Sequence, residues 1–401
     1  MHHKNIILIL AALAVSACLG QDGGFGPAYD PASLNRITVQ AEYPDGIAVR
    51  AGAKLTIADV TGGVSYKLDT DVQGRASTHL PNGVYRISLR DNEGEDILNA
   101  TQDRVIISGQ DLDLTLRLKR SKPGLVVIKE IYNGGCLKLP KEGNYQSDKY
   151  ILIHNNSIDT YYLDGLCMGS VYPYNSEAVN PWGAPPEYVP IVQAVLMMPG
   201  TGQDFPLEPG EDALVCLCGA IDHTREYPLS VNLNRADAFV CYDPVLFPNQ
   251  GYHPTPGDQV DPRRYLVIVI KTGQANAYTL SVTSPAFVLF RPAEGTSIEE
   301  WVKDTQNLPQ IPGSSETVVA IPPEWVIDGV DVFNGAKSNN LKRLPDTIDA
   351  GFTTLSENYK GHTLMRKVDP DADLGFEFLL DTNNSTEDFY ERETQSLHEE
   401  Q

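Results

Sequence analysis

Cys216-x-Cys218, His223 and Cys241 bring together the thiol and imidazole types that hold zinc. They sit in an apolar run, Ala213-Leu214-Val215-Cys216-Leu217-Cys218, that reads as a strand. Buried thiols or one disulfide are therefore expected there, with no metal and no other cofactor implied. A second set is acidic: Asp369, Asp371, Asp373 and Glu377 alternate like the start of a calcium loop. Leu374 stands where such a loop needs glycine and Leu380 where it needs glutamate, so an exposed acidic turn is expected. Trp182, within "YPYNSEAVNPWGAPPEY" at residues 172–188, offers a ring that could stack on a sugar or pack in a Pro-rich loop over its own domain. Enzyme templates find no match: Gly-x-Ser-x-Gly, His-Glu-x-x-His, Gly-x-Gly-x-x-Gly and the phosphate loop are all missing. Past the N-terminal pair, the histidines are scattered at His79, His154, His223, His253, His362 and His398. The chain is read as non-catalytic, and His223, preceded by Asp222, as a capping or core histidine.

These residues must be positioned by a chain of 401 residues, long enough for two or three domains. Its 41% hydrophobic content, with 33 Gly and 28 Pro, fits a loop-rich, all-β globular protein. A net charge of −22 excludes a role on nucleic acid, which needs clustered Lys and Arg. From 35 to 120 the pattern has period two: Ile37, Val39 and Ala41; Leu55 and Ile57; Tyr85, Ile87 and Leu89; then Leu112, Leu114, Leu116 and Leu118 with polar residues between. Turn residues separate these runs, and the combination predicts an antiparallel sandwich. Pro123-Gly124 marks the boundary to a second unit over 121–401, whose first strands are predicted at 125–131 and 148–154. "SIEEWVKDTQ", at 297–306, offers Ser297 as a cap for one short helix, and the terminal "EDFYERETQSLHEE" reads as a solvated charged tail.

The N-terminus predicts a location. A positive start is followed by ten apolar residues, 6–15, too few for the roughly 20 that span a bilayer and suited to a secretory signal. Val15-Ser16-Ala17-Cys18 resembles a bacterial lipobox, which implies a signal peptide at 1–17, lipidation of Cys18 and attachment to the outer membrane, on its surface or its periplasmic face. Residues 18–34, bearing Gly, Pro and Asp without apolar period, read as a flexible tether. Export permits disulfides among the other five cysteines, with Cys136 and Cys167 one open pairing.

Two resemblances extend this. "YKLDTDVQGRASTHLPNGVYRISL", at 66–89, resembles carboxypeptidase-regulatory or prealbumin-like modules, which implies that Asp71 shapes a turn and Tyr85 fills the core. The order of "LVVIKEI", "DKYILIHNN" and "YYLDG", then "LEPGEDALVCLCGAIDH", "GHTLMRKV" and "LLDTNNSTEDF", resembles an expanded lamin-tail-like immunoglobulin sandwich of the Bacteroidetes DUF4876 lipoprotein type. That family has no known activity. Its context implies an accessory protein that binds a ligand or docks onto a TonB-dependent outer-membrane receptor. The other reading is a surface glycan-binding protein or hydrolase that takes a glycan or small nutrient in the second domain.

Overall fold

Alternation builds the first sheet. In the strand Asn35–Glu42, Ile37, Val39 and Ala41 are buried while Arg36 and Glu42 face solvent. This strand pairs antiparallel with Arg75–Leu80 and parallel with Leu112–Arg117. Facing it is a five-stranded antiparallel sheet in the order Ser65–Asp69, Lys54–Asp59, Gly83–Glu93, Asp96–Ile107, Lys119–Ser121. Leu55, Ile57, Ile87 and Leu89 close the core between the two sheets. Tyr85 lies at its centre, fully buried, and its hydroxyl donates to the Pro81 carbonyl at 3.0 Å. Asp71 shapes a turn as expected: its Oδ1 accepts from the backbone amides of Gln73 and Arg75, both at 2.9 Å.

The computed structural model describes residues 34–399 apart from 61, 62, 184, 185, 336, 338, 371 and 373. Cys18, the signal segment and nearly all of the tether lie outside the described residues, as do Asp371 and Asp373 of the acidic turn. Among the described residues no helix is long and apolar enough to cross a membrane.

The second unit stacks two larger sheets. One runs Phe239–Val240, Asp212–Cys216, Tyr150–Asn155, Val126–Tyr132, Thr363–Arg366, Phe389–Arg392. The other runs Val267–Lys271, Val189–Met197, Cys167–Val171, Ala286–Phe290, Val326–Asn334, Thr353–Leu355, with Val319–Ile321 also on the second of these strands. Ile128, Ile151, Ile153, Val215, Phe287 and Leu289 pack between them. Each sheet is covered again on its outer face, the first by a cluster holding Tyr132, Tyr150, Leu214 and Cys216, the second by one holding Val288, Phe290, Ile298 and Trp325. Burial on both faces explains why "YILI" within "DKYILIH" reads as an unbroken apolar run rather than an alternating one. All six residues of Tyr150–Asn155 are buried.

The helix at 297–306 is shorter than its pattern. Ser297 does cap it, accepting from the Glu300 amide at 3.3 Å, but the α-helical turn covers only Ile298–Trp301. The C-terminal segment corrects the sequence reading. Phe389–Arg392 is an edge strand paired with Thr363–Arg366, and Leu397 is buried in the outer cluster. The apolar residues Phe389 and Leu397 dock this stretch despite its charge, because the sheet leaves an unpaired edge that a strand can complete.

Candidate functional site

On a continuous strand Cys216 and Cys218, two residues apart, would share a face. The strand ends at Cys216, which packs on the outer face with Tyr132 and Tyr150, and the chain then turns. Cys218 instead directs its Sγ at the Tyr278 carbonyl, 3.5 Å away. Cys241 belongs to the core between the sheets, beside Phe239 and Phe247. His223 starts a 3-10 turn capped by Asp222, as its sequence context predicts, and it is buried. Its Nε2 lies 2.5 Å from the Gly219 carbonyl and its Nδ1 2.6 Å from the Tyr145 hydroxyl. The carbonyl can only accept, so Nε2 carries the proton and Tyr145 donates to Nδ1. Among the described residues no group of three His, Cys, Asp or Glu side chains is placed to hold a metal ion.

Each described cysteine, Cys136, Cys167, Cys216, Cys218 and Cys241, is a free, buried thiol, and Cys136 and Cys167 are not joined. Burial pushes these thiols up, Cys218 to about 11 and both Cys136 and Cys167 to about 12. They carry almost no thiolate at neutral pH, which removes them as nucleophiles. Burial also pushes His223 below the ordinary imidazole value, against the pull of Asp148.

Beneath this region lies a buried polar cluster that the sequence pattern does not mark as a unit. The Tyr132 hydroxyl and Ser230 Oγ both donate to Asp148 Oδ2, at 3.0 and 2.5 Å. The neighbouring Lys149 is buried too, its Nζ donating to the Leu280 carbonyl at 2.5 Å, and burial brings it down to about 8. Gly219 makes the turn above them with φ of +33°, and a Cβ there would stand 2.6 Å from the Ser147 carbonyl. With both His223 nitrogens engaged and the thiols protonated, the cluster is built to hold the 219–253 loops on the sheet.

Trp182 is half-buried, edge-on to Tyr172 at 5.6 Å and to Tyr188 at 6.3 Å. All three rings are half-buried, so part of this aromatic group faces solvent. Of the acidic turn, Glu377 pairs with Lys129, and its carbonyl accepts from His154 Nε2 at 2.9 Å.

The largest concentration of buried charge lies where the two units meet. Arg366 donates to Asp328 at 2.6 Å, to Asp381 at 3.2 Å and to Asp388 at 3.4 Å, and all four side chains are 2% exposed. Asp381 also accepts from the Gly124 amide at 2.6 Å, tying in the start of the second unit. Arg343 pairs with Asp331 at 2.7 Å and donates to the carbonyls of Ser284 and Val332. From the first unit, Arg86 lies over the Phe352 ring at 3.2 Å, and Phe352 stacks on Phe333. The sequence signal was available: Arg366, Asp328 and Asp331 are charges set inside apolar strand segments, "TLMRKV" and "VIDGVDVF".

Beside this joint opens a groove of about 920 Å³ lined from both units, by Lys54, Lys67, Asp69 and Arg90 of the first and Lys367 and Glu387 of the second.

Residues 208–396 match a family model described as a protein of unknown function, DUF4876. No curated protein matches the chain. Among solved structures it is similar to a DUF4876 family protein from Bacteroides thetaiotaomicron, at 23% identity over 89% of this chain and 94% of that one, with a TM-score of 0.58. The Bacillus anthracis TIE protein is 15% identical over 30% of this chain and 28% of that one, with a TM-score of 0.19, too distant to inform the fold. The chain thus has the all-β fold of a crystallised DUF4876 protein and carries that family's sequence pattern over residues 208–396.

Proposed function

We propose that this is a lipid-anchored, non-catalytic accessory protein of the cell envelope. Its paired sandwiches bind a ligand or dock onto an outer-membrane uptake receptor of the TonB-dependent type. The observation that carries the proposal is Val15-Ser16-Ala17-Cys18 behind a short apolar run, with the first strand of a folded body beginning at Asn35. Residues 18–34 then serve as a tether. Growth with a labelled fatty acid is expected to label the wild-type chain, and Cys18→Ser is expected to remove both the label and the protein from the membrane fraction. Retention of either by the variant would refute the anchor. Co-purification of an uptake receptor from solubilised outer membranes is expected, and repeated recovery without one would count against docking.

One observation favours the second reading, a glycan-binding surface: the half-exposed aromatic group of Tyr172, Trp182 and Tyr188. Binding on a glycan array that is lost in Trp182→Ala would establish it, and a blank array would remove it.

A further inference from the structure

We infer that the groove between the two sandwiches is a binding site for a multivalent oxyanion, a small molecule carrying two or more carboxylate, phosphate or sulfate groups. The inference names a ligand class for the proposed binding protein and rests on that reading, but not on the anchor. The cavity, about 920 Å³, is of the size that encloses small ligands. Four cations line it: Lys54, Lys67 and Arg90 on strands of the first unit and Lys367 just past the strand Thr363–Arg366 of the second. Two carboxylates oppose them. Lys54 pairs with Asp69 at 3.0 Å, whereas Arg90 reaches Glu387 only at 3.8 Å. Lys67 is exposed and pairs with no acid among the described residues.

In a chain of net charge −22 this is positive charge gathered against the composition. It is also gathered against Coulomb's law, since Lys67 and Lys367 line the one groove from different units. Lys367 is half-buried, its Nζ donating to the Glu387 carbonyl; burial pushes it below the ordinary lysine value, the charges of Asp388 and Glu387 pull it back up, and that of Lys67 pushes it down. Repulsion between these lysines does nothing to hold the units together, a task that Asn99 and Arg86 perform nearby. An oxyanion between the lysines would offset it, with Leu68 and Val368 as an apolar flank.

The test is calorimetric titration of the full chain in detergent, at low salt, with pyrophosphate, citrate and a disulfated disaccharide as probes. Saturable binding of at least one is expected, weakened about 10-fold or more by Lys67→Glu and unchanged by Lys303→Glu, a remote surface lysine. The tightest probe tells a phosphate, carboxylate or sulfated-sugar source apart. Lys67 holds no structural contact that the fold needs, and an unchanged melting temperature for Lys67→Glu verifies this. No saturable binding of any probe, or equal weakening by Lys303→Glu, overturns the site. Fatty-acid labelling at Cys18 is read separately, so failure of the groove and failure of the anchor are distinguishable.

Discussion

Asn99, buried in the first sandwich, donates its side-chain amide to the Thr382 carbonyl of the second at 2.5 Å, across 283 positions of sequence. Both partners are buried, so neither has water as an alternative. Asn99→Ala would leave the carbonyl without that donor, at a cost of about 1–3 kcal/mol. The expected outcome is a lower urea midpoint together with faster proteolysis near Pro123, where the units join. An unchanged midpoint and cleavage rate would mean that the bond does not couple the units.

Arg343 should be the least replaceable cation. Its guanidinium is buried against Asp331 and also serves the carbonyls of Ser284, Pro285 and Val332. Removing it strands a buried carboxylate, so Arg343→Met is expected to lose about 3–5 kcal/mol, read by chemical denaturation. Adding Asp331→Leu should recover part of that loss, because the uncompensated charge goes with it.

The stability that Asp388 contributes should fall as pH rises from about 4 to about 8. Burial, with Asp381 beside it and against the pull of Arg366, pushes Asp388 up to about 8. Between the ordinary carboxylate range and about 8 the folded chain therefore holds a proton that the unfolded chain has released. Its stabilising contribution is complete below about pH 4 and is lost as pH rises through about 8. Asp388→Asn is expected to flatten the decline in melting temperature between pH 6.5 and 8.5. The same slope in wild type and variant would refute the assignment.

On the acid side two histidines act in the opposite direction. Burial lowers both His223 and His253, so below about 6.5 the unfolded chain takes up protons that the folded one refuses. The stability these two histidines contribute should decline as pH falls from 6.5. His253→Gln should lessen that decline, provided the variant's melting temperature at pH 8 shows that it folds.

A thiol-reactive probe is expected to modify none of Cys136, Cys167, Cys216, Cys218 and Cys241 in the native chain and all five once it is denatured without reductant. Fewer than five on denaturation would reveal a disulfide, and rapid native labelling would contradict their burial.

The sequence by itself determined the elements whose signals are local. Period two placed the strands of the first unit, because one face of each meets a core and the other meets water. Ser297 and the Asp222–His223 pair were legible because caps are made with residues a few positions away, and the roles of Asp71 and Tyr85 followed from the module that residues 66–89 resemble. The proposed lipidation at Cys18 rests wholly on such local pattern. Only the tertiary structure decided how distant segments meet: that the charged C-terminal stretch completes a sheet edge, that Arg366 stands among Asp328, Asp381 and Asp388, and that Lys67 and Lys367 share a groove. The physical reason is that local pattern records whether a residue faces core or water, whereas pairing of charges and edges depends on which remote strand arrives beside it. Here those partners lie tens to hundreds of residues away.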